Sequence, residues 1–480
     1  MIESPLLTHR MGFIGGQWTD ADSGESLPVS NPADGTHLAD IPKMGRVETL
    51  RAIEAAATAL GERAALEQRA HWLQRIAQTL QAQRKELGRI LTMEHGKPWQ
   101  EAQAEVDYAA GFFRFCADHI DRLGPRTLEE RPRNCRWTVH YRPAGVVGLI
   151  TPWNFPIGMI AKKLSAALAA DCACVIKPSA KTPLTMIALF SLLEQELDLP
   201  AGKVNLVTGS AGPITDALFE HATVRVISFT GSTEVGRELI RKSATGVKRL
   251  TLELGGNAPY IVFEDADLEQ AADNLIANKF RGGGQTCVCA NRIFVHRAVV
   301  ESFADKVVQR VQRLRVGNGL DEGTNLGPLI DANAVAKVRR HVEDALGKGA
   351  RKLAGGDTSA LSGTYYPPTV LTEVPKDAVC NREETFGPLV PIVTFHDEAE
   401  VVQLANETEY GLAAYVFSGD SERGRRVAER LHFGHVGLNT GTGPTPEAPF
   451  GGMQHSGYGR EGGLEGLYEF TEVQTVPYAE

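Results

Sequence analysis

The chain has 480 residues, 42% apolar and 23% charged, with 50 Lys+Arg against 59 Asp+Glu and a net charge of −9. This composition supports two to four domains, each with its own core, and excludes a disordered chain or a small disulfide scaffold. The acidic balance excludes the clustered cations of a nucleic-acid binder, and seven cysteines, an odd number, fit a reducing cytoplasm.

From the N-terminus, Met1–Asp20 lacks a basic stretch followed by an apolar core, so no signal peptide is expected. Segments Val47–Leu60, His71–His95 and Gln100–Leu123 carry apolar residues at helical spacing, with Gly96-Lys97-Pro98 punctuating the last two. Arg136–Tyr141 alternates and predicts a strand. Buried-type runs then alternate with helical stretches. Val146–Ile150 precedes a helix from Ile160, Ala173–Lys177 one from Leu184, Val204–Thr208 one from Pro213, and Val224–Thr230 one from Glu234. That rhythm predicts a parallel, doubly wound sheet with ligands at its carboxyl edge. A second α/β stretch covers about Ile261–Asn439, with helices at Asp267–Arg281, Ala298–Leu314 and Asp331–Leu346. The tail, Gly462–Glu480, alternates in part and is expected to return to the early strand. The longest mainly apolar stretch, Leu164–Ile176, is too short to span a bilayer and contains Asp171, so no membrane partner is expected. The fold class is α/β, two doubly wound domains plus a small added sheet.

Several loops between these elements carry chemistry. Pro152-Trp153-Asn154-Phe155-Pro156 is held stiff by its prolines, so the Asn154 amide suits an oxyanion donor, although an Asx turn explains it equally. Lys177-Pro178-Ser179 closes a strand where a ribose or phosphate would sit, or where a lysine is merely solvated. Gly231-Ser232-Thr233-Glu234-Val235-Gly236 joins a strand to a helix and suits a phosphate; such a turn also needs glycine for backbone reasons alone. Glu253-Leu254-Gly255-Gly256 sets a carboxylate before two glycines, where a general base has room to swing or a turn simply begins. Gly282-Gly283-Gly284-Gln285-Thr286-Cys287 offers a thiol on an adaptable loop, a nucleophile or a cysteine beyond a helix cap. Cys172/Cys174 and Cys287/Cys289 lack zinc spacing, so no metal is expected.

Taken together with Glu383-Glu384-Thr385-Phe386-Gly387-Pro388 and Pro449-Phe450-Gly451-Gly452, this succession resembles the NAD(P)-dependent aldehyde dehydrogenase superfamily over essentially the whole chain. Phe280-Arg281 with Gln285–Arg292 is most similar to its succinate-semialdehyde dehydrogenase branch. The resemblance implies a cofactor-binding domain of residues 1–124 and 143–252. A catalytic domain of 253–445 and oligomerisation segments 125–142 and 446–480 complete it, in a homodimer or homotetramer. It implies that Cys287 attacks the aldehyde carbon, that the Asn154 amide and the Cys287 N–H hold the oxyanion, and that Glu253 activates water. Lys177 and Glu384 would hold ribose hydroxyls. Gly231, Ser232 and Gly236 would meet the pyrophosphate, and Trp153, Leu254 and Phe386 would complete the cofactor site. Cys289 would be a redox partner of Cys287.

NAD-preferring members often carry Glu three residues after the motif lysine. Here that position is Ala180, flanked by Ser179 and Lys181, so NADP is expected to be accepted and favoured, with NAD as the alternative. For substrate, the branch implies a carboxylate anchor at Arg281, with Lys162 where it has Arg. Thr445 belongs to the loop 441–446, whose Pro444 replaces a Ser. Succinate semialdehyde or a related ω-carboxylated aldehyde is the expected substrate; glutarate semialdehyde or a less polar aldehyde competes. A thioester hydrolase, a CoA-acylating relative and a non-catalytic homologue are the remaining classes.

Overall fold

The fold is taken from a computed structural model that describes residues 1–61, 63–129, 134–357, 361 and 363–479. Among them, eight strands form a first sheet in the order Gln17–Thr19, Gly12–Ile14, Val204–Leu206, Ala173–Lys177, Val146–Ile150, Val224–Thr230, Arg249–Glu253, Gly457–Tyr458. The five from Val204–Leu206 to Arg249–Glu253 run parallel. Their runs are almost wholly buried, as a sheet covered on both faces requires.

Seven strands build the second sheet, in the order Arg351–Ala354, Thr369–Thr372, Leu389–Phe395, Ala290–His296, Ala258–Val262, Ala413–Phe417, His435–Leu438. A three-stranded sheet pairs the tail Thr471–Ala479 antiparallel with Cys135–Pro143, from Thr471↔Pro143 to Ala479↔Cys135, and adds Arg126–Thr127. The expected return of the tail is therefore observed. Residues 130–133 and 480 of the segments 125–142 and 446–480 lie outside the described residues.

Other elements depart from the sequence pattern. The expected helix His71–His95 is two, Leu66–Ala82 and Arg84–His95, broken at Gln83. Buried Leu73, Ile76, Leu80, Leu87, Ile90 and Leu91 keep one face across the break, so periodicity cannot reveal it. Arg84 fixes the second piece by donating to Asp107 and Gln103, at 2.7 and 2.8 Å, on helix Trp99–Asp118. The helix expected from Ile160 begins at Pro156, whose missing N–H suits a first turn. Four short strands lie between Gly12 and Pro42, ahead of the first expected helix, where no element was assigned from the sequence. Gly457–Tyr458, from the supposed oligomerisation tail, joins the edge of the first sheet.

Helix Pro156–Ala169 is buried along all 14 residues. Each of its Ile and Leu side chains contributes about 1.5–3 kcal/mol by burial. Lys162 and Lys163 are enclosed with them and so need partners within the fold.

Candidate active site

The loops after Ile150, Thr230 and Glu253 meet the loop 281–289 of the second sheet in one cleft. Cys287 lines two cavities there. One, of about 280 Å³, is walled by Tyr108, Phe155, Met159, Lys162, Arg281 and Phe450. The other, of about 380 Å³, is walled by Trp153, Asn154, Lys181, Gly231, Ser232, Leu254, Glu384 and Phe386. The thiol is half-buried and unpaired, and burial, with Glu384 and Glu253 adding to it, pushes its pKa up to about 12.

Backbone contacts explain the glycines around it. Gly284 has φ +74° and lies so close to the Gly387 carbonyl that a Cβ would sit 2.4 Å from its oxygen. A Cβ on Gly256 would sit 2.3 Å from the Cys287 carbonyl oxygen. Room for Glu253 to swing was the expected reason for Gly255-Gly256. The observed reason at Gly256 is that its loop packs directly against the cysteine backbone.

Asn154 is 4% exposed and its Nδ2 donates to Gln285 O at 2.9 Å. A carbonyl partner fixes which amide atom is nitrogen and leaves Nδ2 one further hydrogen. Behind it stands a pair that the sequence pattern did not reveal. Lys97 Nζ donates to Asn154 O at 2.7 Å and to Glu105 Oε2 at 2.6 Å, with both side chains 1% exposed. Glu105 Oε1 accepts from Ile157 N and Gly158 N, each at 3.1 Å, and so caps helix Pro156–Ala169. The loop carrying Asn154 is thereby held at its carbonyl and at its far end. Gly96-Lys97-Pro98 had signalled only a helix boundary.

Glu253 ends its strand 2% exposed, lines neither cavity, and has no hydrogen bond to either carboxylate oxygen among the described residues. Burial, then the charge of Glu461, raises its pKa well above the usual carboxylate range, against the pull of Lys162 and Lys163. Glu461 accepts from Lys163 Nζ at 2.5 Å and lies 3.6 Å from Lys162 Nζ, and Lys163 also donates to Ser228 Oγ at 2.9 Å. Separations of nearly 300 residues kept this cluster out of sight in the sequence.

In the smaller cavity Arg281 stacks 5.2 Å from the Phe155 ring and makes no hydrogen bond or ion pair among the described residues. Lys162 lines the same cavity but shares its charge with Glu461 and lies 4.7 Å over the Phe450 ring. Glu101, also missed, accepts from Gly282 N at 2.7 Å and steadies the turn after Arg281. Pro444 is part of the lining, and Thr445, next to it in the chain, is not. Cys289 is buried and lines neither cavity, with Sγ 3.6 Å from Lys279 Nζ and 3.4 Å from Gly284 O.

The larger cavity fits a dinucleotide. Ser232 caps helix Thr233–Ser243 by accepting from Val235 N at 3.3 Å, at the positive end of that helix. Glu384 Oε1 accepts from Gly256 N at 3.1 Å, and burial raises its pKa to about 7. Trp153 and Phe386 meet edge to face at 5.5 Å. Lys181 pairs with Asp331 at 2.5 Å across the cavity wall, and Asp331, Asn333 and Lys337 were not anticipated. Lys177, Ser179, Ala180 and Gly236 lie outside the lining. Burial lowers the Lys177 pKa to about 8, and its ammonium has no partner among the described residues. Gly236 instead abuts the Leu254 side chain.

The profile of the "Aldehyde dehydrogenase family" matches residues 18–476. A glutarate-semialdehyde dehydrogenase of Pseudomonas putida is 47% identical over 475 residues, 98% of each chain. The NADP-dependent succinate-semialdehyde dehydrogenase of Escherichia coli is 46% identical over 98% of this chain and 97% of its own. A crystal structure of an oxidoreductase from Marinobacter aquaeolei is 59% identical with a TM-score of 0.97, covering 99% of this chain and 100% of that one.

Proposed function

The chain belongs to the aldehyde dehydrogenase family and is an NAD(P)-dependent oxidoreductase acting on aldehydes, and we propose that its substrate is an ω-carboxylated semialdehyde of four or five carbons. The placement of Cys287 where the two cavities meet carries the catalytic part. An aldehyde in the smaller cavity presents its carbon to the sulfur; the S–H proton leaves to solvent as the C–S bond forms, and the second Asn154 hydrogen and the Cys287 N–H take up the oxyanion. When bound, the nucleotide supplies a hydride acceptor. Loss of hydride from the thiohemiacetal leaves a thioester on Cys287, and Glu253 takes a proton from the water that cleaves it. Lys177 and Glu384 are suited to hold ribose hydroxyls.

Substrate class rests on Arg281, the cation of the smaller cavity that makes no ion pair among the described residues. A panel of succinate semialdehyde, glutarate semialdehyde and butanal, followed by nucleotide reduction, tests it. Arg281→Met should raise KM for both semialdehydes by about 10- to 100-fold, the loss of a charged hydrogen bond of roughly 1.5–3 kcal/mol, and leave butanal unchanged. Equal losses on all three would refute the anchor.

NADP is favoured because Ala180 presents no carboxylate and Lys181 offers an ammonium at the cavity wall. Asp331 balances part of that charge, and the pair is substantially exposed, so the effect is modest. Lys181→Ala should lower the ratio of kcat/KM for NADP to that for NAD by about fivefold, from roughly 1 kcal/mol.

Lys97 and Glu105 are positioning residues. Lys97→Met releases the Asn154 carbonyl and leaves Glu105 unpaired. We expect kcat to fall about 100-fold with KM nearly unchanged, as a small misplacement of a donor produces. Stability should fall by about 3–5 kcal/mol, the cost of an orphaned buried charge, measurable by urea unfolding.

A further inference from the structure

Away from the cleft, a cavity of about 220 Å³ opens between the start of helix Leu66–Ala82, the turn 123–125 and strand residues His140 and Tyr141. Arg63, Arg69 and the His140 ring line it, and no carboxylate does among the described residues. Arg69 is 4% exposed; its Nε and Nη1 donate to Ala65 O at 3.5 Å and Ala169 O at 2.5 Å. Its Nη2 has no acceptor among the described residues, yet it is not one of the sealed, unpartnered atoms of the interior. Arg69 is one of the residues that line the cavity.

The backbone adds donors. Helix Leu66–Ala82 starts at Ala65, whose methyl group cannot cap it, and Ala64, Ala65 and Leu66 all line the cavity. The carboxylate that most offsets the Arg69 charge, Asp171, is already engaged by Lys203 Nζ at 2.5 Å and Ala64 N at 3.1 Å. Arg63 reaches across to Tyr141 O at 3.1 Å, so its guanidinium spans the mouth. Two guanidinium groups, with no carboxylate lining the cavity among the described residues, beside a helix start that no side chain caps among them, make a socket for a compact anion.

We propose that this cavity binds a small tetrahedral oxyanion of the phosphate class, held by Arg63, Arg69 and the open amides of helix Leu66–Ala82. The bound anion bridges that helix to strand Cys135–Pro143. Because that strand pairs with Thr471–Ala479, the anion fastens the three-stranded sheet to the nucleotide-binding half of the chain.

Calorimetric titration of the full-length protein with inorganic phosphate tests this, with NADP saturating so that the phosphate-binding groups of the cleft are occupied. Sodium chloride at equal ionic strength is the control. One phosphate should bind per chain where chloride shows no saturable binding. Arg63→Ala, at an exposed position, should retain the wild-type melting temperature without phosphate and weaken phosphate binding by about tenfold or more. Arg69→Lys should weaken it similarly while keeping a buried cation. Glycerol 3-phosphate separates two sources of the same chemistry: tighter binding than inorganic phosphate assigns the site to a monoester, and weaker binding assigns it to the free ion. Phosphate binding no stronger than that of chloride, or unchanged affinity in Arg63→Ala, would overturn the proposal.

Discussion

Cys287→Ala should abolish aldehyde oxidation, lowering kcat on the order of 10⁴-fold or more, while affinity for the nucleotide stays within about twofold. Among the described residues Cys287 alone lines both cavities, so its sulfur is placed to meet an aldehyde on one side and the nucleotide on the other. Alanine keeps the backbone N–H and the Asn154 amide, but a donor pair has nothing to stabilise when no bond forms to carbon. Trp153, Ser232, Leu254, Glu384 and Phe386 are untouched, which is why nucleotide binding should survive. Retained turnover in this variant would remove Cys287 from the reaction.

The same thiol makes a second, pH-dependent expectation within that experiment. Its pKa, pushed up to about 12, keeps it protonated in the empty enzyme at neutral pH. Below a pKa the thiolate fraction rises tenfold per pH unit, so alkylation by iodoacetamide should accelerate about tenfold per unit from pH 7 upward. Mapped by peptide mass, that modification should fall on Cys287 and vanish in Cys287→Ala, while half-buried Cys135 reacts in both proteins and Cys289, buried against Lys279 and Gly284, in neither.

How much of this was legible in the sequence depends on the distance over which each interaction acts. Val146–Ile150, Ala173–Lys177 and Val224–Thr230 were readable because a strand buried on both faces is apolar throughout, whatever its neighbours. Gly12–Ile14 was not, since three residues carry no period and the pairing of Phe13 with Leu206 crosses nearly 200 residues. The cysteine, the asparagine and the glutamate stood out because glycine or proline marks their loops. Lys97 and Glu105 did not, although only eight positions apart, because Pro98 and a helix start lie between them and nothing local pairs them. Gly256 was noticed for the room it leaves Glu253, and the structure adds a reason the sequence does not carry. A sequence can show that a side chain is missing, but not that the Cys287 carbonyl occupies its place.

Glu253→Gln should separate the two halves of the reaction. The variant is expected to give a burst of reduced nucleotide of about one equivalent per active site, followed by a steady rate on the order of 10³-fold below wild type. Hydride loss asks nothing of Glu253, whereas hydrolysis of the thioester needs a group to take a proton from water, and glutamine cannot. In the structure the carboxyl is enclosed, without a hydrogen bond among the described residues, and near Glu461, all of which favour its neutral form. The sign of the pH dependence follows. A base exists only above the raised pKa, so the wild-type steady rate should climb as pH rises through that value. It should fall on acidification well before an ordinary glutamate, near 4.5, takes up its proton. Glu253→Gln should lose this climb and keep the burst. A variant with no burst and a wild-type pH profile would instead assign the proton transfer to another group, and the Glu461–Lys163 pair beside it would be the place to look.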